Sequence, residues 1–441
     1  MRLLKTHRIF NREGVKRKLL QWAQQYDQTC VLESNALSSS KPRTDQYGSV
    51  DCMVAVGAHS QLLGNGTNDL ERLKSYVDSI HDWAFGYLSY DLKNQIEALS
   101  SNNADYLKFP DLHFFQPELI FELGERELIC RYLKGSYTEL QIDKVFQEIM
   151  DVEVVDQAQP YVQVEARLSR QQYMDAVEKL KGHIAYGDIY EVNFCQEYFA
   201  KNVDIETLLI YERLNEISKS PFANYYKNGS QFLMSASPER FMRKRGNTLI
   251  SQPIKGTSKR GESVDLDALY KQELAKSKKE RSENVMIVDI VRNDLARSAV
   301  KGTVTVEDLF GIYTFEQVHQ MISTVKCNIR EDVHPIDAIK DAFPMGSMTG
   351  APKIRAMQLI EDYESTKRGL YSGAVGYITP EKDFDFNVVI RSILYNAETR
   401  YLSLMVGGAI TDMAEPEEEY EECLVKAKAL FDVLAVREPV S

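Results

Sequence analysis

The chain has 441 residues, of which 44% are hydrophobic and 27% are charged, and its formal net charge is -12. This composition is typical of a globular protein with a large core, and the negative charge argues against a general nucleic-acid or acidic-membrane surface. The N-terminus lacks the apolar core of a signal peptide, and no run approaches the roughly 18 apolar residues of a membrane span. The six cysteines are scattered without a CxxC pair. We therefore expect reduced cysteines in a cytoplasmic protein.

Residues 1–150 form an N-terminal region that is rich in short candidate strands. Apolar and aromatic runs at 51–56, 83–90 and 119–123 are bounded by polar turns, a pattern typical of strands. Residues 151–163 contain a proline and show no helical period, so they are predicted to be a connector.

Residues 163–435 alternate predicted helices with predicted strands. The helices follow from apolar spacings of three and four and, in the last two, from a proline at the first turn. They are predicted over 169–187, 274–295, 352–363 and 416–433. Strands are predicted over 372–378, 387–395 and 401–406. This mixture indicates an α+β or α/β fold and leaves the strand order open.

Two of the predicted helices carry acidic pairs. Glu280 and Glu283 are three residues apart, as are Glu419 and Glu422, so each pair lies on one helix face. Acids near a helix N-terminus complement the macrodipole, which is a sufficient structural explanation. Alternatively, the two pairs could converge on one Mg²⁺, which prefers oxygen ligands.

Small residues mark two further candidates. Gly407, Gly408 and Ala409 follow a strand, where glycines let backbone N–H groups approach an anion or simply form a bulge. The loop at 350–353, which ends on Lys353, leads into a helix N-terminus, where an anion is also favoured.

One lysine and one histidine stand apart from these motifs. Lys255 lies between Ile254 and Gly256, where the chain leaves an apolar run and tightens. A solvated lysine needs no such setting, whereas a lysine that does chemistry requires a shaped environment. His319 stands alone in a mixed apolar and polar run, where a histidine serves either structure or function.

The order of the motifs is more specific than any one of them. They are PIKGTSKRG (253–261), KKERSENVMIVDIVRNDLAR (278–297), FEQVHQMISTV (315–325), FPMGSMTGAPKIRAMQLIEDYE (343–364) and VGGAITDMAEPEEEYEECLVKA (406–427). This series resembles the chorismate-utilising enzymes, a family that includes anthranilate synthase component I and 4-amino-4-deoxychorismate synthase component I. The resemblance extends from about residue 169 to residue 429, with looser matches at VLESN (31–35) and GYLSYDL (86–92).

The resemblance implies an α+β fold in which two facing β-sheets, a large β-sandwich, carry helices on the outside. The active site would lie between the two lobes. Residues 1–150 would be the N-terminal region and residues 163–435 the chorismate-binding catalytic region, both parts of one compact fold.

The resemblance also implies roles for individual residues. Mg²⁺ would be bound by Glu283 and Glu422, while Glu280 and Glu419 would hold its waters. The metal would bind one carboxylate of chorismate, and Arg391 would pair with the other. Further substrate contacts are expected at Gly407, Gly408, Ala409, Thr257, Ser347 and Lys353. His319 would lie beside the departing C4 hydroxyl, and Glu239 is the family's candidate base.

Lys255 points to one branch of the family. Anthranilate synthases usually have alanine at this position, and the lysine form resembles 4-amino-4-deoxychorismate synthase, in which the lysine is a nucleophile. Attack at C2 with loss of the C4 hydroxyl gives a covalent adduct, and ammonia then adds at C4 for 4-aminobenzoate and folate synthesis. The lysine must be neutral to attack, so either partial burial and the metal lower its pKa or a base takes its proton.

Glu191 is a departure from the family pattern. Isochorismate and salicylate synthases have a water-activating lysine at this position, and the amino-transferring enzymes usually have glutamine. A carboxylate could act as a base, so its role stays open. Anthranilate synthase is the nearest alternative function, followed by isochorismate or salicylate synthase and by a non-catalytic chorismate- or tryptophan-binding protein.

The expected partners follow from the nitrogen chemistry. The sequence has no GxCxG-type nucleophile loop, so ammonia would be free or would come from a separate glutamine amidotransferase subunit. VLESN resembles the tryptophan-binding segment of the family, with Glu33 and Ser34 as contacts. Whether tryptophan is bound stays open.

Overall fold

The computed structural model of the chain describes residues 1–36, 51–154 and 161–436. The strands of these ranges are β1 (Arg2–Arg8), β2 (Gln28–Glu33), β3 (Cys52–Leu63), β4 (Ala84–Leu88), β5 (Leu112–Leu123), β6 (Glu127–Leu133), β7 (Glu165–Ala166), β8 (Glu191–Lys201), β9 (Phe222–Asn228), β10 (Gln231–Ser237), β11 (Arg240–Arg245), β12 (Thr248–Gln252), β13 (Ile254–Lys259), β14 (Thr305–Thr314), β15 (Val318–Asn328), β16 (Gly350–Ala351), β17 (Ala374–Ile378), β18 (Phe384–Val388), β19 (Ser392–Asn396) and β20 (Tyr401–Ile410). The helices are α1 (Arg12–Ala23), α2 (Asp69–Ile80), α3 (Lys93–Ile96), α4 (Glu139–Asp151), α5 (Arg170–Tyr186), α6 (Thr207–Ser218), α7 (Val264–Lys276), α8 (Lys278–Ser298), α9 (Pro335–Ala342), α10 (Lys353–Tyr363) and α11 (Pro416–Val433).

The strands form two sheets that share β5, and every pairing between the named strands is antiparallel. The first sheet has the order β1–β6–β5–β3–β2–β9–β10–β19–β20–β8, and β7 and β16 pair with β8. The second has the order β5–β4–β17–β18–β11–β12–β15–β14, and β13 pairs with β15 beyond β12. Strands from residues 1–150 thus pair directly with strands from residues 163–435.

The two sheets face each other across a shared apolar core. Successive side chains of a strand point to opposite faces of its sheet. Consecutive residues of a strand in the first sheet therefore pack either against the outer helices or into the core between the two sheets. In β2, Val31 packs outward among helix residues such as Leu19 and Leu430. Its neighbour Cys30 points inward to the core that also contains Phe386 of the second sheet. The fold is therefore α+β, with facing β-sheets and outer helices, as the sequence predicts.

Several predicted elements match the structure closely. The helix predicted over 169–187 is α5, which Ser169 caps through a capping box and Gly187 ends at a φ of 93°. The last helix is α11, Pro416–Val433, with the predicted bounds. The predicted connector begins within the last turn of α4. Its residues 152–154 and 161–163 are irregular, and 155–160 lie outside the described residues.

The single helix predicted over 274–295 is wrong, because the chain forms two helices there. Ser277 leaves the helical region with a φ of -60° and a ψ of 118°, and its side chain accepts a hydrogen bond from the backbone N–H of Glu280. This N-cap ends α7 and starts α8. As a result, Glu280 and Glu283 lie in the first turns of a new helix.

The single strand predicted over 387–395 is also wrong. β18 pairs within the second sheet and β19 within the first, so the chain crosses between the sheets from Val389 to Arg391. Arg391 has a φ of 52°, which few non-glycine residues adopt. The strand predicted over 401–406 instead continues to Ile410, so Gly407 and Gly408 lie inside β20 rather than after it. Among the described residues, no helix combines the length and apolar character needed to cross a bilayer.

Candidate functional site

A cavity of about 440 Å³ opens between the two sheets. This volume lies in the range of small-molecule sites, roughly 300–1,000 Å³. The predicted site residues that line it are Glu239, Lys255, Thr257, Glu280, Glu283, Ser347, Arg391, Gly407, Ala409, Glu419 and Glu422. They come from β13, α8, β20 and α11 and from the segments after β10, α9 and β18, so residues distant in sequence meet at one cavity.

Local backbone geometry places Lys255 in the cavity wall. The pairing of β13 with β15 shifts register between Ile254 and Thr257, so consecutive residues of β13 line the cavity. Gly256 has a φ of 90°, and a Cβ there would lie 2.9 Å from the Glu280 carboxylate oxygen Oε2. Glycine is therefore required at this bulge, which brings Lys255 close to the acidic face of α8.

Lys255 forms a buried ion pair with Glu191. Its Nζ lies 2.7 Å from Glu191 Oε1, and the two side chains are 9% and 2% exposed. Burial acts to lower the pKa of Lys255, but the charges of Glu191, Glu283 and Glu239 outweigh burial and raise the pKa above its usual value. For burial and the neighbouring carboxylates together, the shift is therefore opposite to the expected lowering, and the effect of Mg²⁺ on this pKa stays a prediction. These carboxylates favour the ammonium form of Lys255.

Glu239 is a carboxyl group whose pKa lies near neutral pH. Ser347 donates a hydrogen bond from its hydroxyl to Glu239 Oε1 at 2.6 Å. Burial raises the pKa of Glu239 to about 7, although this hydrogen bond and the charge of Lys255 both oppose the increase. A carboxyl group with such a pKa can give or take a proton near pH 7.

The four predicted metal-site glutamates interact across α8 and α11. Burial and then the charge of Glu422 raise the pKa of Glu280, which couples the two helices electrostatically. Burial raises the pKa of Glu283 to about 7, and its Oε1 is a buried atom without a hydrogen-bond partner. A Cβ on Gly408 would lie 2.9 Å from Glu419 Oε2 and 3.8 Å from Glu422 Oε1, so glycine leaves space beside both carboxylates.

These carboxylates suit a hard divalent cation. Like charges crowded at a buried site, with one oxygen lacking any donor, are relieved by a bound cation. Among the described residues, no three Asp, Glu, His or Cys side chains are arranged to enclose a metal by themselves. Mg²⁺ needs no such cage, since it commonly binds through one or two carboxylates and completes its shell with water and substrate. The donor set therefore fits Mg²⁺.

Arg391 is a cation with unused hydrogen-bond donors at the cavity. Its Nη1 donates to the backbone carbonyl of Lys426 at 2.9 Å. A guanidinium has five N–H donors in a fork that matches a carboxylate. The positive φ of Arg391 occurs where the chain crosses between the sheets, which directs this side chain to the space between them.

Three of the residues predicted for the chorismate site do not line the cavity: Gly408, His319 and Lys353. His319 Nε2 lies 3.0 Å from Asp267 Oδ1, and its Nδ1 lies 3.0 Å from the Thr314 hydroxyl. Lys353 donates to Asp294 Oδ2 at 2.6 Å. The predicted catalytic role of His319 and the predicted substrate contact of Lys353 are therefore not supported by their positions. Both side chains are held by structural partners.

Gln320, rather than its neighbour His319, lines the cavity from β15. Val318 and Gln320 line the cavity, and His319 between them points to the other face of β15. The side chain of Gln320 is buried, and its Oε1 has no hydrogen-bond partner. The two-residue period of a strand indicates that His319 and Gln320 point to opposite faces of β15. Only the position of β15 in the sheet shows which of these faces lines the cavity.

The proposed tryptophan contacts lie elsewhere in the molecule. Glu33 accepts hydrogen bonds from Lys16, Asn215 and Tyr211, so both of its oxygens are engaged. A cavity of about 30 Å³ adjoins Glu33 and Ser34. That volume suits about one water molecule. Binding of tryptophan here stays a prediction and would require the surrounding residues to move.

Comparison with known proteins identifies the family of the chain. A family model described as chorismate binding enzyme matches residues 17–432. An aminodeoxychorismate synthase from Streptomyces griseus is 42% identical over 62% of this chain, which spans 37% of that protein. Aminodeoxychorismate synthase component 1 from Bacillus subtilis is 32% identical over 80% of this chain and 77% of its own length.

The fold is shared with a solved structure. The crystal structure of anthranilate synthase component I from Streptococcus pneumoniae superposes with a TM-score of 0.76 at 23% identity, covering 88% of this chain and 94% of that one. The family match covers most of the sequence and includes every residue that lines the cavity. The chain therefore belongs to the chorismate binding enzyme family.

Proposed function

We propose that the chain is an aminodeoxychorismate synthase component I, which aminates chorismate at C4 to give 4-amino-4-deoxychorismate. The observation that carries this proposal is the position of Lys255. Its amine lies in the cavity wall among Glu191, Glu239 and Glu283, where a nucleophile can reach a bound ring. The names of the relatives from Streptomyces griseus and Bacillus subtilis support the same assignment.

Substrate binding would use the two charged sides of the cavity. Chorismate is a dianion, and Arg391 would pair with its enolpyruvyl carboxylate through a fork of N–H donors. Glu283 and Glu422 would hold Mg²⁺, with Glu280 and Glu419 orienting its waters. When bound, Mg²⁺ supplies positive charge for the ring carboxylate and withdraws electron density as a Lewis acid.

The chemistry at the ring would then use Lys255 and Glu239. The neutral amine of Lys255 attacks C2 as the bond between C4 and its hydroxyl breaks. Glu239, which is partly protonated near pH 7, gives the departing hydroxide a proton and releases water. Ammonia next attacks C4, and the bond between C2 and the lysine nitrogen breaks with its electron pair on nitrogen. The amine of the product is at C4.

The nitrogen source would be free ammonia or a glutamine amidotransferase partner, component II. The Bacillus subtilis relative is named as component 1, which supports a two-component arrangement. The product would enter 4-aminobenzoate and folate synthesis.

Product identification tests this proposal directly. The protein is incubated with chorismate, ammonium and Mg²⁺, and the products are separated and identified by mass. We expect 4-amino-4-deoxychorismate without pyruvate release. Anthranilate with pyruvate would identify an anthranilate synthase instead. Isochorismate or salicylate would indicate water addition, and chorismate binding without turnover would indicate a binding protein.

A further inference from the structure

Glu191 is held at Lys255 by the strand that carries it. It begins β8, and Ala351 of β16 pairs with it across the ladder. The neighbouring Tyr190 N–H donates to the Ala351 carbonyl at 2.7 Å, so the backbone is fixed on both sides of Glu191. Within this frame Glu191 Oε1 meets Lys255 Nζ, while Glu191 Oε2 is buried without a hydrogen-bond partner. An unpartnered carboxylate oxygen has the lone pairs to accept a proton.

We propose that Glu191 is a catalytic residue that accepts the proton Lys255 must lose before attack and returns it when the lysine is released. This inference rests on the proposed function, because it assumes that Lys255 is the nucleophile. The ammonium form of lysine has no lone pair, so attack requires a proton acceptor within hydrogen-bonding distance. Glu191 meets that requirement at 2.7 Å.

The other carboxylates around Lys255 are less suited to this step. Glu239 and Glu283 act on Lys255 through their charges. Within the described part of the chain, neither carboxylate accepts a hydrogen bond from Lys255. Glu239 Oε1 is engaged by Ser347. The charge of Lys255 also acts to lower the pKa of Glu280 and of Glu422, but both residues belong to the proposed metal site. Glu191 alone among these combines contact with the ammonium and a free oxygen.

The proton balance of the cycle closes. The Lys255 ammonium gives one proton to the Glu191 carboxylate, and its nitrogen lone pair forms the bond to C2. The hydroxide that leaves C4 takes a different proton, from Glu239, and departs as water. When ammonia has added at C4, the electron pair of the C2–nitrogen bond returns to Lys255. Glu191 then gives its proton back to Lys255, and solvent reprotonates Glu239.

The experiment uses the covalent adduct itself as its readout. The 441-residue chain is mixed with chorismate and Mg²⁺ without ammonia, and intact-mass spectrometry follows the adduct over time. Glu191→Gln keeps an oxygen near Lys255 but accepts no proton. We expect adduct formation about 100-fold slower than in the wild type near neutral pH, with a rate that rises with pH as hydroxide replaces Glu191. The chorismate Kd should change little, whereas a purely structural pair would alter binding and stability instead.

A second variant keeps the test decisive if Glu191→Gln does not fold. In Glu191→His the neutral imidazole accepts a proton without negative charge, so the adduct rate should fall below about pH 6.5, near the histidine pKa. Adduct formation by Glu191→Gln at the wild-type rate would overturn the inference, as would a Glu191→His profile equal to that of the wild type.

Glu197→Gln is the matched control. Glu197 lies on the same strand, is buried, and pairs with Arg167 away from the cavity. Its replacement should leave the adduct rate unchanged. If the wild type itself forms neither adduct nor 4-amino-4-deoxychorismate, the proposed function fails. If the wild type forms both and the Glu191 variants match it, only the role of Glu191 fails.

Discussion

The hydroxyl of Ser347 donates a 2.6 Å hydrogen bond to the carboxylate of Glu239, joining the turn after α9 to the segment after β10. This bond favours the ionised carboxylate and therefore opposes the effect of burial, as the charge of Lys255 also does, and the balance leaves the pKa of Glu239 raised to about 7. The bond thus influences how much of Glu239 is protonated near neutral pH.

Ser347→Ala should therefore raise the pKa of Glu239 further. Hydrogen bonds to charged groups contribute about 1.5–3 kcal/mol, which corresponds to about one to two pH units. Because the proposed mechanism requires protonated Glu239, the alkaline limb of the kcat–pH profile should move to higher pH by about that amount. Ser60→Ala, whose hydroxyl contacts Tyr76 and Gln116 away from the cavity, is the control. An unchanged limb in Ser347→Ala would exclude Glu239 as the acid.

Lys255→Ala should abolish formation of 4-amino-4-deoxychorismate. Without the amine there is no adduct at C2, and ammonia is free to attack C2 directly, so a small amount of anthranilate is expected. Separation of the products by chromatography with mass detection measures both. Lys244→Ala removes another buried lysine, paired with Asp383 at 2.9 Å, and should leave the product unchanged. Undiminished C4 amination by Lys255→Ala would refute the nucleophilic role.

Arg391→Gln should weaken chorismate binding more than it slows the chemical step. In the proposed binding mode the guanidinium donates charged N–H bonds to a substrate carboxylate, and the loss of such bonds costs about 1.5–3 kcal/mol, or about 10- to 150-fold in KM. Steady-state kinetics with chorismate as the varied substrate separates KM from kcat. The exposed Arg400, paired with Asp204, provides Arg400→Gln as a control. A fall in kcat with unchanged KM would contradict the substrate-binding role.

Mg²⁺ should stabilise the protein more at about pH 8 than at about pH 6. The pKa of Glu283 is raised from 4.5 to about 7 in the folded protein, chiefly by burial. The contribution of Glu283 to stability is therefore fully present below the unfolded pKa of 4.5 and is lost as pH rises through about 7. Above that pH the carboxylate is ionised and can bind a cation. The measurement is the Mg²⁺-dependent change in Tm at the two pH values.

Glu283→Gln should remove most of that Mg²⁺-dependent change in Tm, since the amide supplies a neutral and weaker ligand. Glu398→Gln, at an exposed position near β19, should keep it. A Mg²⁺ effect that is equal in all three proteins would place the metal elsewhere.

Arg368→Met should destabilise the fold strongly. Arg368 forms a buried pair with Glu364 and also donates to the backbone carbonyls of Met348 and Asn193, two residues that line the cavity. Breaking one partner of a buried pair typically costs about 3–5 kcal/mol. Denaturant unfolding should show that loss, while Arg400→Met at an exposed pair should cost less than about 1 kcal/mol.

The sequence was most informative where local rules act alone. The cap at Ser169, the glycine at Gly187 and the proline that starts α11 are interactions within a few residues, so the helix ends they set were predictable. The sequence pattern does not predict the break between α7 and α8 at Ser277, because an isolated serine occurs both inside helices and at their N-caps.

The order and content of the motifs carried the resemblance to the family, and that resemblance implied the α+β fold and most residues of the cavity, whereas the residues alone left α+β or α/β open. Tertiary structure alone decided which of two adjacent residues on β15 faces the cavity, and it placed Gln320 there rather than His319. It also decided the direction in which the pKa of Lys255 shifts, since burial by itself would favour the neutral amine. The carboxylates of Glu191, Glu239 and Glu283 reverse that preference, and they come from three distant segments that only the packed sheets bring together.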